Sequence, residues 1–226
     1  MALAPNHPVA ENRRMQLSDE AAGYVRELIM SGQLRPGEHV RPEQIAAALD
    51  ISGTPVREGL LALRAEGFLQ LQPRRGFVVA PLSADDIRDL FVTQALIAGE
   101  LAARAAERLK DEEIDELRDL QVRIDQVAQA GDTDELEQLN HEFHRRINRA
   151  ASSEKLTWAL GMVTKYVPRR FYAHIGGWPT ASVHDHSAVV LALAARDPEQ
   201  ARRAIAAHVR HAGDLLAKHF EASGSL

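Results

Sequence analysis

The 226-residue sequence contains no cysteine, which excludes disulfide scaffolds, thiol nucleophiles and thiolate-bound zinc or iron–sulfur centres. Any metal must therefore be held by histidine and oxygen. Long apolar runs are also missing: the longest, Ala188 to Ala195, spans eight residues, far short of the ~20 a membrane helix needs. The first seventeen residues hold no apolar block of the signal-peptide kind. The expectation is a cytoplasmic protein with no membrane partner, in which residues 1–17 form a flexible polar tail. Enzyme signatures are absent as well. There is no Gly-rich phosphate loop and no G-x-S-x-G elbow. His141-Glu142 opens like the HExxH zinc-protease pattern, but Arg145 stands where the second histidine belongs. No Glu lies three residues before any His, which removes the Glu-x-x-His pair of di-iron bundles.

What the chain does have is 45% hydrophobic and 26% charged residues, enough to bury one large core or two smaller ones. The net charge of −5 is unevenly spread. Residues 1–80 carry nine Arg and nine Asp+Glu, whereas residues 81–226 carry eighteen basic and twenty-three acidic residues. Neither half has the bulk positive charge of a non-specific nucleic-acid binder. Within residues 51–80, however, Arg57, Arg64, Arg74 and Arg75 are opposed only by Glu58 and Glu66.

Composition changes near residue 81. Before it, Ser18 is placed to cap a helix with Ala21, Val25, Leu28 and Ile29 at helical spacing. A second short helix runs from about Pro42 to Leu49, and a third follows the turn Asp50-Ile51-Ser52-Gly53 with Pro55 in its first turn. Two short helices joined so closely, behind a supporting one, form a helix-turn-helix. Phe68 to Gln72 then alternates like a strand, Pro73-Arg74-Arg75-Gly76 turns, and Phe77 to Ala80 is a second strand. A hairpin in that place is a wing. Residues 54–65 are expected in the major groove, with Thr54, Pro55, Arg57 and Arg64 outward. Arg74, Arg75 and Gly76 at the wing tip are expected on phosphate or in the minor groove, and Arg41 joins the DNA-binding set. One short recognition helix reads few bases, so the DNA partner is a near-palindromic double-stranded operator bound by a homodimer. From Ser83 the pattern gives about six helices, 83–109, 111–130, 133–151, 154–172, 181–195 and 198–220, arranged as an antiparallel bundle. The fold class is thus mainly α. It comprises a winged helix-turn-helix at 18–80, a linker at 81–84, an all-α effector-binding and dimerisation domain at 85–220, and a tail at 221–226.

Eight of the ten histidines follow residue 140, and three fall on apolar stripes. Leu136, Asn140, His144, Ile147 and Ala151 share one helical face. His186 lies in line with Val190 and Leu193, and His208 is central to Ala201, Ile205, Ala212 and Leu215. Three imidazoles aimed into one core are costly without compensation, and a divalent cation gives each a partner. Three nitrogen ligands favour zinc or nickel and leave coordination positions open. His141, His184 and His219 lie off these lines, and His211 is a weaker substitute ligand.

The residues also carry a resemblance. Leu34-Arg35-Pro36-Gly37-Glu38, Ser52 to Leu60, Leu63 to Phe68 and Arg75 to Val79 resemble the winged-helix domain of GntR-type bacterial transcription regulators. Asn140-x-x-Phe143-His144, Asp185-His186 and Arg196-Asp197 leading to His208 resemble the helical, FCD-type effector domain of their FadR-like branch. The resemblance implies a dimeric regulator, a repressor, whose operator binding responds to a small molecule such as an organic acid. It implies a metal site of one acidic residue and three His, falling here on Asn140, His144, His186 and His208. Asn140 departs from the usual Asp and weakens the site by one negative charge. Gly53 stands where the family commonly has Arg, and Gln94 and Ala98 replace an Arg-x-x-x-Glu pair. Gln94, Arg169 and Arg170 form the candidate effector-binding set. Two alternatives remain: a metal-dependent enzyme fused to a DNA-binding module, and a DNA-binding interaction protein with a purely structural ion.

Overall fold

Ala21, Ala22, Val25, Ile29 and Met30 recur at helical spacing and are all buried, which makes them the inner face of helix α1 (Pro8–Met30). The computed structural model describes residues 8–166 and 175–223, and these divide into two compact units between Leu82 and Ser83. In the first unit α1 starts at Pro8, so Ser18 lies inside the helix and residues 8–17 are helical rather than a flexible tail. Within the extension Asn12 to Gln16 are all exposed, so they carry no apolar stripe for pattern reading to find. Its Arg14 pairs with Glu58 on a neighbouring helix.

After α1 come β1 (His39–Val40), α2 (Pro42–Leu49), α3 (Gly53–Ala65), β2 (Leu69–Gln72) and β3 (Gly76–Val79). Asp50 ends α2 in the left-handed conformation, φ 54°, with its N–H donated to the Ala46 carbonyl; short polar Asp tolerates that geometry. The α3 helix buries Val56, Leu60 and Leu63 against α1. Their approach is close at Gly59, where a Cβ would stand 2.6 Å from the Ser18 carbonyl oxygen. The strands form an antiparallel sheet ordered β1-β3-β2, with Leu69 opposite Val79 and His39 opposite Val78. β1 adds a third strand to the expected hairpin. Two residues are too few for alternation to reveal.

The second unit contains α4 (Ala84–Arg108), α5 (Asp111–Ala130), α6 (Thr133–Ala150), α7 (Glu154–Thr164), α8 (Trp178–Ala194) and α9 (Pro198–Ser223). Ser83 caps α4 in a reciprocal box with Asp86, and Gly131, φ 75°, closes α5. The helix expected over 154–172 ends at Thr164, and the end of the expected span falls partly outside the described residues. α8 starts three residues earlier than position 181, directly after Gly177 at φ 83° and with Pro179 in its first turn. α9 runs on through residues 221–223, which are therefore helical rather than tail.

The central pair is α4 and α9. They run antiparallel, with Glu100 bonded to Arg202 at 2.5 Å and Arg88 to Glu221 at 3.0 Å. Between those ion pairs the helices close on small residues. A Cβ on Gly99 would lie 3.2 Å from the Arg202 side chain, and one on Gly213 would lie 2.5 Å from Phe91. No described helix is long and apolar enough to cross a membrane. Gly213→Ala forces Phe91 or the helix axis to move and should destabilise the protein by about 1–3 kcal/mol. Gly161→Ala, in α7 with nothing within 4 Å of the new carbon, should be neutral or mildly stabilising. Urea unfolding of the two variants checks the contrast.

Candidate metal centre and nucleic-acid interface

On α3 the exposed residues Thr54, Arg57, Leu61 and Arg64 recur at three- and four-residue intervals, which places them on one outward face. Pro55 does not belong to it. The helix starts at Gly53, so Pro55 is its third residue and turns inward, buried beside Val56. Leu61, which the sequence reading passed over, is 48% exposed on the arginine face. Its neighbour Leu60 takes the core position, and the spacing of Leu61 from Arg57 and Arg64 was the available signal. Arg41 is exposed just before α2, its carbonyl accepting from the Gln44 and Ile45 N–H groups.

At the wing tip the Arg75 N–H is donated to the Gln72 carbonyl at 3.1 Å, closing a tight turn around Pro73 and Arg74. Arg74 sits at φ 64° and Gly76 at φ 77°. A left-handed arginine is uncommon where glycine or asparagine is at ease. The Arg75 guanidinium lies back along the sheet, donating to His39 Nε2 at 3.0 Å and Gln72 Oε1 at 3.3 Å. The two carboxylates that oppose the basic cluster in sequence are engaged elsewhere: Glu58 by Arg14, and Glu66 by Arg26 at 2.6 Å. The charges of Arg57, Arg64 and Arg74 are left uncompensated by them.

The three striped histidines converge. α6 contributes His144, α8 His186 and α9 His208, each with a ring nitrogen within 4.8 Å of the others. His208 Nε2 and His144 Nε2 are 3.2 Å apart, close to the ~3.3 Å that separates two ligands about 2.05 Å from a tetrahedral zinc. His186 is fully buried, stacks on Phe143 with centroids 4.1 Å apart, and has no hydrogen-bond partner on either ring nitrogen among the described residues. A buried imidazole with both nitrogens orphaned is costly, and a cation would satisfy one of them, so these residues fit a divalent ion. Burial pushes His144 down to about 3, helped by the neighbouring His208 and His141. Burial likewise carries His186 well below its ordinary value, with His208 and His144 adding to the effect. Both are thereby held as neutral imidazole, the ligating form.

Asn140, one turn before His144, accepts a hydrogen bond from the Ser182 hydroxyl at 3.3 Å, and Ser182 lies one turn before His186. Asp185, which lies on no apolar stripe, was missed by periodicity. Its Oδ2 is 2.9 Å from His211 Nδ1 and 3.5 Å from His208 Nδ1. Glu142 of the abortive HExxH pattern pairs with Arg146 and Arg145. Gln94 is buried and donates its amide to the Val163 carbonyl at 3.2 Å, tying α4 to α7. Arg169 and Arg170 lie outside the described residues.

A winged helix-turn-helix with an arginine-bearing recognition face, joined in one chain to a helical bundle, defines a two-domain DNA-binding regulator. Residues 17–79 match bacterial regulatory proteins of the gntR family, and residues 89–211 match the FCD domain. The chain is 30% identical over 199 residues to a probable D-xylose utilization operon transcriptional repressor of Paenarthrobacter nicotinovorans, covering 87% of each chain. It is 29% identical over 195 residues to the Nta operon transcriptional regulator of Aminobacter aminovorans, covering 86% of this chain and 88% of that one. Among solved structures, E. coli McbR/YncC superposes with a TM-score of 0.68 at 22% identity, over 90% of this chain and 98% of that one. The chain belongs to the gntR family of bacterial regulatory proteins, in the branch that carries an FCD domain. It is a DNA-binding transcriptional regulator and not an enzyme, which sets aside the fused-enzyme alternative.

The depressed histidines give metal-free protein a pH-dependent stability. Between the ordinary imidazole value of 6.5 and the His144 value of about 3, the unfolded chain binds more protons than the folded one. Stability therefore rises with pH through that window and is lost as pH falls. Chelator-treated protein should melt progressively lower as the pH drops below about 6.5, and His144→Gln should flatten that slope. Equal slopes for the two proteins in thermal scans would contradict it.

Proposed function

We propose that this regulator is a cytoplasmic repressor that binds a near-palindromic operator as a homodimer and is released by a small carboxylate-bearing metabolite acting at a metal-containing helical domain. The observation that carries the reading is the convergence of three imidazoles from three helices, His186 and His208 buried and both ring nitrogens of His186 without a hydrogen-bond partner among the described residues. His144, His186 and His208 hold the ion, zinc or nickel, with Asn140 as a weak fourth ligand through its amide oxygen. A bound ion would offer its open positions to an effector carboxylate. The relatives named above are regulators of a D-xylose utilization operon and of the Nta operon, and operon control gated by a metabolite is what is proposed for this chain. Gln94, Arg169 and Arg170 remain candidates for orienting the effector, although the Gln94 amide already serves α7.

In the DNA-binding unit Thr54, Arg57 and Arg64 reach base edges and phosphates from the recognition face, with Arg41, Arg74, Arg75 and Gly76 on the flanking backbone. Exposed Val92 and Leu96 on α4, with Trp158 and Met162 on the adjoining α7, supply an apolar face for the second copy that a palindromic operator demands. The three ligand-bearing helices include α9, which packs along α4, and α4 begins at Ala84, at the end of the expected 81–84 linker.

Footprinting on the DNA upstream of the protein's own gene, repeated with a panel of organic acids, tests the reading. Protection relieved by one acid supports it. Turnover of that acid would oppose it, and an ion with no effect on effector response would make the ion purely structural. Arg57→Ala should weaken operator binding by about 1–3 kcal/mol, while replacing Arg74 and Arg75 together should lower the slope of log affinity against log salt by roughly two. Folded variants that bind and titrate like wild type would remove those residues from the interface.

The metal is tested by elemental analysis of protein purified without chelator or a nickel column. About one equivalent per chain is expected, with His208→Ala losing it and Asn140→Asp binding more tightly. Because His144 and His186 are held unprotonated in the folded chain well below the ordinary imidazole value, uptake should persist below pH 6 for as long as the metal-free protein stays folded. No uptake of added zinc or nickel at neutral pH would make the three histidines core residues only.

A further inference from the structure

Every charged group around the histidine cluster bears on how an ion could be held there, and one stands out by geometry. The cluster itself holds no carboxylate: it has three imidazoles, an amide at Asn140 and a hydroxyl at Ser182. Asp185 precedes His186 on α8 but is turned off the apolar stripe, so its carboxylate crosses to α9. There it meets two imidazoles one turn apart, His208 at 3.5 Å and His211 at 2.9 Å, both through Nδ1 and both on the same oxygen. His208 is buried and His211 is half-exposed. The other nitrogen of His208, Nε2, is the one that faces His144. His208 Nδ1 is buried with no hydrogen-bond partner among the described residues, leaving the carboxylate as the group it faces.

We infer that Asp185 is a positioning residue for the cluster: it fixes His208 with the proton on Nδ1 and the lone pair of Nε2 directed at His144, and supplies from outside the coordination sphere the negative charge that Asn140 does not. This rests on the metal reading above. The physical reason is that a proton on Nδ1 is attracted by an anionic acceptor, whereas a lone pair there would be repelled by it. A carboxylate behind a ligating imidazole both sets the ring's tautomer and raises the basicity of the nitrogen in front. His211 anchors the carboxylate from the solvent side. The Asp185-His186 dipeptide thus serves the cluster twice, with one residue in the cluster and its neighbour reaching around behind a ligand from another helix.

The test compares full-length wild type, Asp185→Asn and His211→Gln, each stripped of metal and titrated with zinc against a chromophoric chelator. Asp185→Asn keeps the shape and loses the charge, and should weaken zinc binding by about 10–100-fold while the melting temperature of the metal-free protein changes little. His211→Gln should weaken it by less. Nitrogen-15 NMR of the histidine rings in metal-free protein should place the His208 proton on Nδ1 in wild type and a tautomer mixture in Asp185→Ala, a readout that a merely structural contact would not move. Wild-type zinc affinity in Asp185→Asn, or His208 protonated on Nε2 in wild type, would overturn the inference while leaving the metal reading intact. Absence of zinc uptake by wild type itself would overturn the metal reading, and the role of Asp185 with it.

Discussion

The close approach of α4 and α9 is the constraint on which the helical domain depends. Two helices of 25 and 26 residues lie antiparallel, with Gly213 where a side chain would collide with Phe91 and Gly99 where one would press on Arg202. Close packing of this kind leaves little freedom to slide, because Phe91 fills the space above Gly213 and the ion pairs at Glu100 and Arg88 fix the register. His208 stands on α9 five residues before Gly213, so its placement follows from that packing. The helices bearing His144 and His186 need only bring one side chain each to a position already set.

The histidine cluster sits uneasily with the rules that make the rest of the core. Apolar side chains gain by leaving water, and imidazoles do not unless each nitrogen finds a partner. Phe143 offers a flat face to His186 and nothing to its nitrogens. This local conflict between burial and hydrogen bonding, in a domain whose core is mainly apolar, distinguishes the cluster from the packing around it.

The sequence made the strongly periodic parts legible. The second and third helices, the wing and the three inward histidines all follow from residues that repeat along a buried face, and the described structure brings them where that repetition points. What escaped had no such face. Residues 8–17 are helical with Asn12 to Gln16 exposed, and β1 is two residues long. Asp185 acts from the side of a helix that periodicity assigns to solvent. Pro55 faces inward because it stands one turn before Gly59 on the buried side of α3, not on the face of Thr54 and Arg57. Gln94 could be identified as a polar residue in an apolar helix, but its partner, a carbonyl on α7, is a tertiary contact that no local pattern encodes.

The left-handed backbone of Arg74 ties the wing's charge to its conformation. Asparagine tolerates that region more readily than arginine does, so a substitution to asparagine removes a cation and relieves the turn together. The two effects run in opposite directions: lost attraction for phosphate, and a hairpin tip that forms its turn with less strain. A binding measurement on such a variant therefore understates what the guanidinium contributes. Arg75, outside the left-handed region, has no such compensation, and the two adjacent arginines of one turn are not equivalent probes of the same field.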